Sequence, residues 1–285
     1  MKDYIIASPV LTVHVNPCGA ELKGIAKDGL EYLWQGDADS YARTSPTLFP
    51  IVGRFLSDTY FVGDQPYQMP PSGIVQNRNF TVEHHQADSI VLCTQSDEKT
   101  LRQYPYAFRL TVSFHVSGNR VTISQQVENS GDTPLPFILG CHTAYRWPLY
   151  AHEQPTDYFL RFAQPETLES FNPFGWRDSF VQNSDIRPLD HTLFVNFTRS
   201  VTGLQSPWIE LANRNNHHKV RIYREQYSYL ALWAKPENRA PFLCMEPCTG
   251  VQPGNKGSLT LFDREGVQVL VPGESSRKSF IIEID

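Results

Sequence analysis

Residues 108–129 decide the fold class: FRLTVSFHV (108–116), then Ser117-Gly118-Asn119, then RVTISQQVEN (120–129). Apolar and polar side chains alternate in both arms, as they must when successive side chains point to opposite faces of a sheet. The Gly-Asn step supplies the backbone freedom that a tight reversal needs. The segment therefore reads as a β-hairpin with one face buried. The same texture runs outward in both directions. LTVHVN (11–16), YFVG (60–63) and SIVLCT (89–94) precede it; WIELAN (208–213), KVRIY (219–223), YLALWA (229–234), FLCME (242–246), QVLV (268–271) and SFIIEI (279–284) follow. Helical periodicity is absent, and EKTLRQYP (98–105) has room for a turn or two before Pro105 stops it. Many short strands at near-regular spacing predict an all-β protein, a sandwich or barrel.

Composition agrees. Twenty-one prolines are spread over 285 residues, and the 40% hydrophobic and 19% charged fractions are those of an ordinary globular chain. We expect one domain over residues 1–285, because sandwiches of this length commonly form a single unit. The stretch 150–207, richer in Pro and aromatics (QPETLESFNPFGW), is expected to form long loops over a binding face. A formal net charge of −5 argues against nucleic acid or an anionic membrane as the main partner. Five scattered cysteines fit reduced thiols rather than a disulfide framework. The start, MKDYIIASPVLTVHVNP, lacks a long uninterrupted apolar run and reads as a first strand rather than a signal peptide. A cytoplasmic protein without a membrane span is the expectation. The sequons at Asn79 and Asn196 would matter only in a secreted chain.

Three segments carry candidate chemistry. In PFILGCHTAYRWPL (136–149) an apolar run leads to His142, a residue whose pKa a site can tune for proton transfer; a histidine satisfied within the core fits that segment as well. In FLCMEPCTGV (242–251) alternation puts Cys244 and Glu246 on one face and Leu243 and Met245 on the other. A carboxylate in such an apolar strand is costly unless paired or open to a cleft, and desolvation raises its pKa toward neutrality. In SPTLFPIVGRFLSDTYFVG (45–63), Arg54 offers a rigid fork of donors for hydroxyl or carboxylate oxygens. Trp34, Phe49, Tyr145, Trp176 and Trp233 are aromatics that can cover the apolar face of a sugar ring. The adjacent pairs His84-His85 and His217-His218 point to opposite strand faces and chelate poorly, and Cys244 and Cys248 have no second pair at zinc spacing. With no phosphate loop or nucleophile elbow, the expected site uses neither metal nor cofactor.

The order and content of these segments resemble the aldose 1-epimerase (galactose mutarotase-like) superfamily, in particular its shorter LacX-like bacterial branch. CGAELKGIAKDGLEYLWQGD (18–37), SPTLFPIVGRF (45–55), YPYAFRLTVSF (104–114), VENSGDTPLPFILGCHTAYRWPL (127–149), MEPCTGV (245–251) and VPGESSRKSF (271–280) carry the likeness. The resemblance implies a large antiparallel β-sandwich of the kind called a supersandwich, with a cleft on a concave sheet face, and interconversion of the α and β anomers of an aldose. It implies Glu246 as general base at the C1 hydroxyl and His142 as general acid at the ring oxygen. Arg54, Ser72, Gln76, Tyr145 and Trp233 are the expected contacts to the sugar. Two departures bear on substrate. MPPSGIVQNRNF (69–80) puts Ser72 and Gln76 where the branch usually has a histidine and an arginine, leaving Arg78 as a substitute phosphate contact. LFVNFTRS (193–200) lacks the acidic residue often found there, with Asn196 and Phe197 in that neighbourhood. The expectation is a mutarotase-like isomerase, monomeric or homodimeric, with an altered substrate. The alternative is a non-catalytic carbohydrate-binding or sensing protein using the same cleft.

Overall fold

The structure, a computed structural model, describes residues 3–195, 198–224, 226–235, 237, 239–251 and 260–285. Strands dominate. Among the described residues a fifteen-stranded antiparallel sheet forms the body, and a four-stranded sheet of Tyr4–Ala7, Leu11–Asn16, Glu21–Lys27 and Leu30–Glu31 packs against it. The two share one apolar cluster: Leu11, Val13 and Val15 meet Ile90, Leu92, Leu110, Val112 and Ile123 within it. That cluster extends from Ile6 to Ile284. The all-β expectation is met, and among the described residues no helix is long and apolar enough to cross a membrane.

The deciding hairpin forms as read. Phe108–Ser117 pairs with Arg120–Asn129 in unbroken register from Phe108↔Asn129 to Ser117↔Arg120, and Gly118 at the turn has φ +56. Phe108, Leu110, Val112, Phe114 and Val116 are buried on one face, as the alternation requires. The one short α-helix among the described residues, Glu98–Leu101, is capped by Asp97, whose carboxylate accepts from the Thr100 amide.

Two expectations need correction. The opening segment is two strands, not one: Pro9 falls between Tyr4–Ala7 and Leu11–Asn16, which pair with each other. The stretch expected to be long loops holds instead a fourteen-residue strand, Tyr158–Phe171, paired with Arg177–Pro188. Register shifts between Arg161 and Glu169 break the regular alternation there, which hid the strands from pattern reading.

The part of the large sheet that matters for function runs, in order, Thr47–Leu48, Gly140–Cys141, Phe242–Cys248, Tyr229–Trp233, Arg199–Thr202. Ala144–Arg146 also pairs with Phe242–Cys248. Leu243 and Met245 point into the main core. Phe242 and Cys244 join a second cluster with Ala144 and Ala240, against which Trp34, Tyr41 and Trp233 pack. The face assignment made from alternation in FLCME therefore holds.

Candidate active site

Strand register brings the two titratable residues together. Gly140 pairs with Cys248 and Ala144 with Cys244, which brackets His142 opposite Glu246 on the same sheet face. His142 Nε2 lies 3.4 Å from Glu246 Oε1. The backbone around His142 is held on both sides: its amide donates to Pro46 O at 3.1 Å, and the Met245 amide donates to Thr143 O at 3.0 Å. Behind the sheet, Ser45 Oγ contacts Thr143 Oγ1 at 2.7 Å and Cys141 Sγ at 3.2 Å, which satisfies the polar side chains of the opposite parity.

The pair forms part of a cleft of about 190 Å³ lined by Tyr41, Ser72, Pro173, Ser200, Ala231 and Trp233, with Val52, Gly53, Thr198 and Val251 completing it. Register explains the floor: Ala231 pairs with Glu246, and Ser200 pairs with Ala231, so the three share one face. A larger cavity of about 420 Å³, lined by residues including Trp176, Asp178 and Arg199, shares none of these residues and lacks the His142–Glu246 pair.

Burial sets the protonation of both groups. Glu246 is 3% exposed, and the loss of water pushes its carboxyl up to about 8. The same effect pulls His142 down to about 4. Both shifts favour neutral forms. Aromatic rings fix the imidazole plane: Tyr41 stacks on His142 with centroids 4.8 Å apart, and Trp233 meets it edge-on at 5.7 Å. Tyr41 is held by Trp34 Nε1, which donates to its carbonyl at 2.7 Å, and by its bridge to Asp37.

The expected sugar contacts fall on both sides of this boundary. Ser72 and Trp233 line the cleft. Ser72 sits at φ +63, its amide donating to Gly53 O at 2.7 Å. The next residue, Gly73, has φ +88, and a Cβ there would lie 2.0 Å from Phe49 O, so only glycine fits. Arg54 follows the cleft-lining Gly53, and its guanidinium grips Asp58 through two bonds of 3.1 and 2.9 Å. Gln76 does not line the cleft; its side-chain amide donates to Pro71 O at 2.7 Å and braces the Ser72 turn. Arg78 is committed to Asp97 at 2.7 Å, to Thr94 and to Gln95 O. Tyr145 is the clearest departure. Its neighbour Ala144 faces the cleft side, so alternation turns Tyr145 into the main core, fully buried. Asn196 and Phe197 lie outside the described residues.

Tyr41 is the functional candidate that sequence reading missed. It sits in a polar loop, DADSYA, with no periodicity to announce it. Cys244 adds a third heteroatom: donor atoms of His142, Cys244 and Glu246 lie within 4.8 Å of one another. Those are donor types that zinc takes, at the site expected to be metal-free. All five cysteines are free thiols, four of them buried.

A desolvated carboxyl–imidazole pair beside aromatic rings thus lines a cleft on one sheet face of an all-β fold, and that fold is galactose mutarotase-like. A galactose mutarotase related enzyme from Lactobacillus acidophilus has this fold with TM-score 0.94 at 23% identity, covering 100% of this chain and 97% of that one. A galactose mutarotase-like protein from Lactobacillus casei ATCC 334 matches with TM-score 0.92 at 24% identity over the full length of both. The family model for aldose 1-epimerase matches residues 3–282. The chain belongs to that family. It is similar to the chromosomal protein LacX of Lactococcus lactis subsp. lactis, at 30% identity over 289 residues and 96% of each chain.

Proposed function

We propose that this protein is a mutarotase: it interconverts the α and β anomers of a neutral aldose bound in the His142–Glu246 cleft. The observation that carries this is the 3.4 Å pairing of a half-buried imidazole, set between two short strands, with a buried carboxyl on the adjoining strand. Family membership supports the same reading.

Ring opening requires a proton to leave the C1 hydroxyl and another to reach the ring oxygen. Glu246 as carboxylate takes the first, and His142 as imidazolium gives the second. The C1–C2 bond then rotates, and closure on the other carbonyl face returns both protons. Opening therefore converts the ionised pair into protonated Glu246 and neutral His142, with the same total of protons. Burial favours that neutral form, which is the form that closing uses. The hydroxyls of a bound sugar supply hydrogen bonds to the ionised form, which lowers its cost in the dry cleft. The reaction is proton transfer throughout, and a positioned acid or base typically contributes about 10²–10⁴-fold.

A neutral sugar suits this cleft better than a sugar phosphate. No lysine or arginine is among its described lining residues, and Arg78 is held by Asp97. Trp233 and Tyr41 present ring faces and edges suited to the C–H surface of a pyranose. Anomer exchange measured by NMR over a panel of aldoses and their 6-phosphates tests the reading. Acceleration of a neutral aldose supports it; rates equal to buffer across the panel defeat it.

One observation favours a second reading, a sugar sensor. Gln76 and Arg78 are both bonded to their own neighbours, so the segment 69–80 brings only Ser72 to the cleft. Saturable sugar binding without any exchange would select the sensor.

A further inference from the structure

Arg264 is buried, 2% exposed, yet takes no part in the cleft lining. Its guanidinium donates to Val52 O at 2.6 Å and to Arg54 O at 3.3 Å, and its Cζ sits 4.6 Å from the Phe55 ring centroid. Three of its contacts thus fall on one short segment, 52–55. That segment contributes Val52 and Gly53 to the cleft and carries Arg54. Burial brings the guanidinium down only to about 10, so it is charged at neutrality and its bonds are charge-assisted.

The other end of the connection leads to Glu246. Arg264 belongs to a turn closed by its own amide bond to Leu261 O and by Val267 N to Arg264 O. That turn is pressed against the continuation of the Phe242–Cys248 strand. The Val251 amide donates to Glu265 O at 3.3 Å, and a Cβ on Gly250 would lie 2.3 Å from the same carbonyl. Gly266, at φ +80, approaches Thr249 O as closely, 2.4 Å from a would-be Cβ. Such approaches admit only glycine and leave the turn little freedom. Val251 itself lines the cleft.

We propose that Arg264 is a positioning residue: it clamps the 52–55 wall of the cleft to the end of the strand that carries Glu246, and so sets the width available to the sugar. This rests on the reading of the cleft as a sugar site. A clamp on the wall governs binding of sugar and transition state alike, so its loss raises KM and spares kcat.

The test compares wild type with Arg264→Met, Arg264→Lys and Phe55→Leu by two readouts. The first is the rate of tryptic cleavage after Arg54, followed by mass spectrometry, which reports local opening of the segment without any substrate. The second is anomer exchange, resolved into KM and kcat across pH. Arg264→Met is expected to speed cleavage after Arg54 and to raise KM by about tenfold, the worth of a charge-assisted hydrogen bond. Its kcat and pH profile stay those of the wild type. Lysine, which keeps the charge but cannot span both carbonyls, falls between, and Phe55→Leu shifts both readouts the same way by less. Unchanged cleavage and unchanged KM overturn the proposal, as does a fall in kcat at constant KM. A wild type without anomer exchange removes the mutarotase reading, and cleavage after Arg54 then decides by itself whether Arg264 holds the segment.

Discussion

His142 and Glu246 face each other in the cleft, Nε2 to Oε1 at 3.4 Å, and burial drives both toward their uncharged forms. One titrating proton is therefore shared by the pair over a broad range of pH. The proposed mechanism consists in moving that proton between the two residues by way of the sugar.

The pH profile follows from that count. Below about 4 the pair gains a second proton and has no base. Above about 8 it loses its only one and has no acid. We expect kcat/KM for anomer exchange to be flat between these limits and to fall on both sides, with apparent pKa values that belong to the pair. A profile that still rises through pH 8 would show that the acid is elsewhere.

Stability carries the same signature with a definite sign. The carboxyl of Glu246 titrates near 4.5 when unfolded and near 8 when folded. Between those values the native state holds a proton that the unfolded state has lost, so stability falls as pH rises through the window. The slope is up to about 1.4 kcal/mol per pH unit, and it flattens above pH 8. Glu246→Gln lacks this loss, while the contribution of His142 below pH 6.5 is common to both proteins. Urea unfolding from pH 5 to 9 should show the variant gaining on wild type by a few kcal/mol in all; parallel curves would mean that the carboxyl is solvated.

Tyr41 stacks on the imidazole and is not assigned a proton in the mechanism. Tyr41→Phe keeps the ring and should keep kcat within about threefold. Tyr41→Ala frees the imidazole to rotate and should cost about 10–100-fold, the usual consequence of a misplaced catalytic group. Equal losses in the two variants would assign the role to the hydroxyl instead.

The trio of His142, Cys244 and Glu246 makes metal dependence a question worth measuring. Because the proposed chemistry is proton transfer alone, exchange rates should be unchanged after dialysis against EDTA. Elemental analysis should find less than one zinc per chain. Activity lost with the metal and restored by zinc would replace the acid–base account with a Lewis-acid one.

Much of the fold is legible in the sequence because alternation reports a half-buried strand directly. Leu11–Asn16, Arg120–Asn129, Trp208–Asn213 and Lys219–Tyr223 have the bounds that the pattern indicates. Tyr158–Phe171 is not legible, because bulges shift its parity and Pro165 interrupts it. At the site, His142 and Glu246 stand out as polar residues in apolar strands, but their pairing depends on register between segments a hundred residues apart. The burial of Tyr145 was within reach of the sequence: if His142 faces the cleft, residues of odd number in that segment face away. Tyr41 was not, since a loop residue has no period to betray its contacts.

The most direct test is anomer exchange of galactose, glucose and other neutral aldoses by NMR, comparing wild type with Glu246→Gln. The account predicts acceleration by wild type and a loss of at least about 10²-fold in the variant, the contribution of one positioned base. A variant as fast as wild type, with wild type well above buffer, would contradict it by showing that the cleft carboxyl is not the base.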